Sequence, residues 1–534
     1  MNFTTECDVV TVAQGSPYTY DFENETPWNC WTNVAGSNVR NTGDNNTTGG
    51  SYKLQFQGTT TGNIVAMPGF TPDINGLMLT FWTRPESYNY SYCGTFSVGY
   101  MTDLTDASSF VAVDTYSYND WTVNSYLEKK VAFTNAPAGA YIAFRHNAGA
   151  GNYYWFVDDV TVELVPSFTK DIIGYGTSTG GYYLIASPVA NATTPTADNG
   201  FLTEAYDLYS FDQAEQLEWR NYKAQSFDIV NGQGYLYASQ ANTTLTFNGM
   251  PYSGNGEVEL TKADGVSFEG WNLVGNPFAE TAYLLVDHYT MNGEGNEIVA
   301  SEGNSVEAME GVFVVAENDG DVVTFSTEAP AGRGSSLVMN LSRNTRGTAI
   351  DRVILSFGGG RQLPKFQLRE TSTKIYVPQV DGNYAIVSAE SDMGELPVSF
   401  KAESDGTYTL SFKTDNVEFN YLHLIDNMTG NEVDLLSMPY YSFDALTTDY
   451  ASRFKLVFAT GGNSEDNLAF FSNGSFVISN EGEAMLQVVD VTGRILKSEQ
   501  INGSANVSVN AAPGVYMLRL VNGSDVKVQK VVVK

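Results

Sequence analysis

Short apolar runs, each only long enough for a single strand, set the terms on which this chain can fold. Segments such as GLMLTFWTR (76–84), YIAFRH (141–146), YTLSFK (408–413) and RFKLVF (453–458) are rich in β-branched and aromatic residues. Clusters of Gly, Asn, Asp and Pro separate such runs at short intervals, and 50 glycines supply the matching load of turns. No 3.6-residue apolar period persists beyond a turn or two, so the pattern predicts no amphipathic helix. The expected class is all-β, built as a multidomain chain of β-sandwiches. At 534 residues the chain exceeds what one hydrophobic core accommodates, and three or four domains are expected.

Small, polar stretches mark the joints: GYGTSTGG (174–181), EAPAGRGSS (328–336) and ATGGNSEDN (459–467). They divide the chain into blocks 1–165, 168–332, 337–460 and 468–534. The second block repeats itself. YYLIASPVAN recurs as GWNLVGNPFAE, which aligns Pro188 with Pro277. The following VNGQGYLYAS recurs as MEGVFVVAEN, aligning Gly234 with Gly311 and, further on, Phe247 with Phe325. Stacked solenoids need about three or more copies, so a duplicated β unit forming one two-sheet domain is the simpler expectation.

Charge narrows the function. The net charge is −33, and it is unevenly held: residues 468–534 carry six Lys/Arg against five Asp/Glu, leaving −34 on the rest. A surface that negative repels phosphate backbones, which argues against nucleic acid as a partner. It attracts divalent cations instead. No apolar run approaches the ~18 residues of a membrane-spanning helix, so no transmembrane segment is expected. Cys7, Cys30 and Cys93 all lie near the start, which is neither a disulfide framework nor a CxxC metal knuckle. One pair, Cys7 with Cys30, is open to a chain in an oxidising compartment; three buried thiols are the alternative. The opening MNFTTECDVV has no basic region, apolar core or cleavage site of a signal peptide. Either the protein is cytosolic or its beginning is missing, and the C-terminal motifs below favour a truncated start.

Catalytic signals are weak. GTSTG (176–180) matches a G-x-S-x-G elbow, but Ser178 sits in a linker followed by strand-like sequence rather than by a helix. His146, His288 and His423 fall in separate blocks at no zinc-binding spacing, each expected as a strand residue with a satisfied ring. No enzyme is expected. One carboxylate pattern stands out. In YWFVDDVTVEL, strict alternation puts Asp158 on one face with Phe156, Val160, Val162 and Leu164. A carboxylate in a core row needs compensation. At the other end of the block, YTYDFENET places Asp21 and Glu23 on one strand face. First and last strands of a sandwich often run side by side, so Asp21, Glu23, Asp158 and Asp159 could converge on one Ca²⁺, a hard cation taking 6–8 oxygens. The alternative is a bulge that swings Asp158 to the surface, with the other acids merely solvated.

Several ordered fragments carry a resemblance over the first block: YTYDFE, GGSYKLQF, LTFWTR, FSVGYMTDLTDASSFVAVDT, YIAFR and YWFVDDVTVE. Together they resemble the cleaved-adhesin and choice-of-anchor J group of bacterial surface modules. The resemblance implies a calcium-binding jelly-roll used in adhesion, with Asp21, Glu23, Asp158 and Asp159 as the carried-over metal positions. The last block is similar to the type A C-terminal sorting domain of the type IX secretion system. The carriers are MLQVVDVTGRILKSEQING, with its Gly493-Arg494 turn, and APGVYMLRLVNGSDVKVQKVVVK, with its Pro513-to-Tyr516 strand and basic final strand. It implies a small seven-stranded sandwich read by outer-membrane export machinery and then removed, leaving the protein on surface lipopolysaccharide of a Gram-negative cell. Lysines on that last strand would also block edge-to-edge aggregation. In the middle, YLHLIDNMTGNEVDLLSMPYYSF and RFKLVF resemble an immunoglobulin-like sandwich found before such tails. These resemblances imply a secreted surface adhesin binding a host protein or glycan ligand. The alternatives are an accessory, carbohydrate-binding or stabilising portion of a larger secreted hydrolase or peptidase, and a purely structural surface protein.

Overall fold

A computed structural model describes residues 8–23, 30–36, 39–43, 50–58, 62–89, 91–133, 136–147, 153–177, 180–330, 334–343, 347–358, 361–367, 371–389, 393–460, 468–472, 474–480 and 482–533. Among these the chain is all-β. Its only helical segments there are three-residue 3-10 turns, all before residue 121. Two compact units are present: 1–168 with 248–251, and the remainder of the chain.

The first unit is a two-sheet sandwich. One sheet runs Val111–Ser117, Thr95–Met101, Tyr141–Asn147, Asn63–Ala66, Thr32–Ala35. The other runs Leu127–Ala132, Leu77–Pro85, Tyr154–Leu164, Tyr52–Gln57, Val39–Gly43, with Tyr18–Tyr20 also paired to Tyr154–Leu164. Period-2 alternation turns Phe56, Phe81, Phe96, Phe144 and Trp155 inward, and all five are fully buried. Phe96 stacks on Trp155 with centroids 5.4 Å apart. The indole N–H of Trp155 would be stranded there, but it donates to Thr83 Oγ1 at 2.7 Å.

Strict alternation fails in the longest strand of this unit. The Tyr154–Leu164 strand shifts register between Asp158 and Thr161 against Leu77–Pro85, with Asp159 at φ +43°. This bulge resets the phase: Trp155 and Val157 face the core before it, Val160 and Val162 after it. Asp158 therefore leaves the core row on which simple alternation places it. It shares the outer face with Phe156 and remains 2% exposed. The bulge that the sequence left open is present, but it does not carry Asp158 to the surface.

The second unit begins with the repeat, and the two copies have the same strand order. Tyr183–Ala186 pairs with Gly234–Ser239, then Tyr206–Phe211, then Trp219–Asn221. Trp271–Gly275 pairs with Gly311–Val315, then Tyr289–Met291, then Ile298–Ala300. Ala186 opposes Gly234 in one copy, and Gly275 opposes Gly311 in the other. These glycines form the seam where the copies meet, through bridges Ile185–Glu310 and Gln233–Val274. A Cβ on Gly275 would lie 2.4 Å from Ala186 Cβ and 2.7 Å from Gln233 O, so backbone approach rather than a turn demands glycine here.

Blocks 168–332 and 337–460 are joined by a shared core. Trp271, Tyr289 and Phe313 cluster with Phe366, Val338, Ile354 and Ile386. Phe366 donates its N–H to Tyr289 Oη at 3.0 Å. In the third block one sheet is ordered Asn431–Asp434, Phe419–Asp426, Phe454–Thr460, Met393–Lys401, Lys374–Pro378, Asn383–Ala389, Asp351–Phe357, Ser335–Arg343, Gly406–Asp415, Tyr440–Ala445. Each of these strands sends residues into one common core, so the sheet folds over on itself. Beneath one end, Arg453 Nη2 meets Asp426 Oδ2 at 2.9 Å, with side chains 3% and 1% exposed.

Two outcomes test this packing. Gly275→Ala is expected to destabilise the second unit by about 1–3 kcal/mol through overpacking, whereas Gly293→Ala, whose Cβ meets nothing closer than 3.9 Å, is near neutral. Thermal denaturation of the two variants makes the comparison. Burial alone would raise the Asp426 carboxyl, but hydrogen bonds from Arg453, the Met428 N–H and Tyr441 outweigh it and hold the carboxyl below the usual range. Its contribution is therefore complete above the ordinary carboxylate pKa and disappears as acidification reaches the lowered one. Asp426→Asn should cost about 2–3 kcal/mol at neutral pH, because the buried Arg453 loses its nearest carboxylate and keeps only Asp449, at 3.5 Å. A urea titration at pH 7 that shows no loss would refute this.

Candidate functional site

Two regions carry the functional expectations, the acidic cleft of the first unit and the C-terminal block. The side-by-side placement of first and last strands holds: Val160 opposes Tyr20, Thr161 opposes Thr19 and Val162 opposes Tyr18, antiparallel. Running that register one step further brings Asp21 and Asp159 to the same end of the pair. Both line one open cleft, together with Cys30 and Pro68. Asp21 Oδ1 also accepts the N–H of Glu23 at 3.2 Å.

The other two expected ligands sit differently. Glu23 Oε1 accepts backbone N–H groups from Ser51 and Tyr52, both at 2.8 Å, and so anchors the start of the Tyr52–Gln57 strand. Asp158 Oδ1 accepts the N–H of Asp159 at 3.0 Å, and its side chain lies on the buried outer face rather than in the cleft. Among the described residues no three of His, Cys, Asp and Glu form a metal-holding group. Asp21 and Asp159 are brought together; Glu23 and Asp158 are not brought to them.

On the outer face beside Asp158, Phe156 lies between two cations, Lys53 Nζ at 4.4 Å and the Arg84 guanidinium at 4.6 Å from its ring centre. Lys53 is 0% and Arg84 5% exposed. Sequence reasoning did not single out this group, because a lone Lys or Arg within a strand carries no sign of burial. The one available signal was that Lys53, Gln55, Arg84 and Phe156 fall on a single face once the phase is set by Leu54, Phe56 and Thr83.

Of the remaining sequence candidates, Cys30, Cys93, His146 and His288 lie among the described residues of the strands and their joints. Cys30 is disulfide-bonded and Cys93 is a free, buried thiol, pushed up by burial; Cys7 lies outside the described residues. Ser178 of the elbow-like motif also lies outside them. His146 is buried in its strand with Nε2 on Cys93 O at 2.8 Å, and burial pushes its ring towards the neutral form. His288 is buried just before the Tyr289–Met291 strand rather than within a strand, because the strand opens only at Tyr289.

The C-terminal block is a sandwich of its own. A three-stranded sheet, Ala469–Ser472, Ser475–Ile478 and Ala505–Ser508, faces a four-stranded one ordered Ile495–Asn502, Glu483–Asp490, Gly514–Asn522, Asp525–Val533. Phe476, Ile478, Leu486, Val488, Leu518 and Val531 fill the space between. The Gly493-Arg494 turn is built by Asp490, which accepts from the Thr492 hydroxyl (2.6 Å) and from the Thr492 and Arg494 N–H groups (2.9 and 3.0 Å). The Thr492 hydroxyl is the largest cause that lowers this carboxyl to about 2. Gly493 takes φ +85°, the left-handed conformation that such a tight hairpin requires. Tyr516 Oη donates to Ala512 O at 2.8 Å and pins the start of its strand. The final strand is the sheet's edge. It seats Val531 and Val533 in the core and leaves Lys527 and Lys530 exposed. From its centre, Gln529 Oε1 accepts the N–H groups of Leu468 and Ala469, tying the first strand to the last.

The chain ends in a small sandwich with its own core, following larger β-sheet blocks. Comparison with known proteins gives that tail its family: residues 472–534 match the secretion system C-terminal sorting domain. The chain thus carries a type IX sorting domain and is a secreted, cell-surface protein. Among solved structures it is similar to the K1 cleaved adhesin domain of Lys-gingipain from Porphyromonas gingivalis W83, at 22% identity over 28% of this chain and 100% of that one, TM-score 0.24. It is likewise similar to the K2 cleaved adhesin domain of Lys-gingipain, at 16% identity over 28% of this chain and 99% of that one, TM-score 0.23. The K3 domain of the same protein from that organism is 21% identical over 27% of this chain and 97% of it, TM-score 0.21. No curated protein matches the sequence. No helix among the described residues is long and apolar enough to cross a membrane.

Proposed function

We propose that this protein is a non-enzymatic adhesin, exported through its sorting tail, held at the cell surface on lipopolysaccharide, and binding a protein or glycan through its first unit. The observation that carries the reading is the folded sandwich of residues 468–534, an address with no use inside the cell. The excess of acidic charge on the remainder supports it, since a −34 cargo stays soluble during transit.

Calcium belongs to the same proposal. Asp21 and Asp159 supply two carboxylates at one cleft, and backbone carbonyls or water would have to complete a shell of 6–8 oxygens. Glu23 is engaged elsewhere, by the Ser51 and Tyr52 amides, and is not counted in that shell. A bound ion would tie the first strand to the last strand of the sandwich, which is a stabilising role.

Three measurements test the reading. Deleting residues 468–534 should abolish surface display, read by protease shaving and immunofluorescence of whole cells; undiminished display would remove the export assignment. Extracellular modules bind Ca²⁺ at about 10⁻⁴–10⁻³ M, so millimolar calcium should raise the melting temperature of the full chain and a chelator should reverse it. Asp21→Asn with Asp159→Asn should erase that response, and a melting curve indifferent to chelator in the unaltered chain would eliminate the metal. The calcium-loaded chain is expected to retain a matrix protein or glycan on an array, and uniformly blank arrays would favour a structural surface role instead.

A further inference from the structure

The three-stranded sheet of the C-terminal block is covered on both faces. Its inner face closes the block's own core. Its outer face presents Phe470 and Val477, which join Tyr421, Ile425, Val457 and Ala459 of the preceding block in one apolar cluster. Those four residues lie on the back of Phe419–Asp426 and Phe454–Thr460, whose alternate residues Leu422, Leu424, Leu456 and Phe458 face the third block's core. Val477 is 1% and Ala459 0% exposed. A tag tethered only by its linker would present polar residues at these positions.

Polar contacts frame the cluster and fix its register. Asn506 Nδ2 donates to Tyr421 Oη at 3.1 Å and to Glu432 Oε1 at 3.4 Å. Asn420 Nδ2 donates to Ser479 Oγ at 3.3 Å. The receiving side is pre-set: Tyr421 Oη donates to Glu432 Oε1 at 3.0 Å, while the His423 ring lies parallel to Tyr421 at 4.0 Å and bonds the same oxygen through Nδ1 at 2.9 Å.

We propose that this sheet-on-sheet contact is a clamp that holds the sorting domain on its cargo, so that cutting the connecting segment does not by itself free it. Departure of residues 468–534 is then a second step, in which a competitor must displace the tail. That step uncovers an apolar face on the cargo, centred on Tyr421, Ile425 and Val457. The meaning given to this departure rests on the sorting reading above; the clamp itself does not.

A site-specific protease sequence placed within residues 461–467 of the full chain tests the clamp. Cutting is done at about 10 μM, roughly a hundredfold below the millimolar effective concentration that a short linker sustains. The two pieces are expected to co-elute in gel filtration. Ala459→Asp, which places an unpaired carboxylate in the contact, should release the tail as a separate peak. Asn506→Ala, at an exposed position outside both cores, should raise the tail's dissociation constant about tenfold, as loss of hydrogen bonds to a charged partner does. Immediate separation of the cut, unsubstituted chain overturns the proposal, as does co-elution that neither variant weakens. A clamped tail that cells never remove would count against the sorting reading and leave the clamp standing.

Discussion

A strand sends alternate side chains to opposite faces, so a sheet packed on one side only leaves half of its residues to water. The architecture of this chain depends on what is done with the second face. In the first unit the outer face of one sheet is closed locally, by Lys53 and Arg84 on either side of Phe156. In the repeat the two copies meet edge to edge at glycines, leaving broad faces for the shared core around Phe366. At the C-terminal end two sheets from different blocks cover one another through Tyr421 and Val477. Each solution uses a different chemistry: cation over ring, absent side chain, and plain apolar contact.

The same alternation explains how far the sequence could be read. The all-β class, the tail sandwich and the repeat were legible because each is written in local pattern. Gly234 aligned with Gly311 in the repeat, and the strands bearing them occupy the same place in matching sheets. The pairing of the first strand with the last in the opening block was also foreseen. The position of Asp158 was not, because one extra residue in a strand inverts every face after it, and a bulge at two consecutive aspartates has no period to betray it. Glu23 was expected beside Asp21 from their shared strand face and from the family resemblance, and its carboxylate accepts two amides 28 and 29 residues away.

What stayed hidden was long-range partnership. Tyr421 and Asn506 lie 85 residues apart on either side of a composition boundary that reads as a clean joint. The small polar residues between 459 and 467 read as a joint in the sequence, and say nothing of whether the flanking sheets touch. The shared core of the second and third blocks was hidden for the same reason: Phe366 and Trp271 each look like members of their own sandwich, and only their 4.5 Å ring separation shows otherwise.

The side chain of Gln529 carries one more implication. By receiving the amides of both Leu468 and Ala469, it makes the opening of the tail sandwich dependent on its closing strand, which also brings Val531 and Val533 into the interior. A ribosome delivers those residues long after the first strand has emerged, so the block cannot complete itself piecemeal. A polypeptide that stopped before Gln529 would lack the lock for its own first strand.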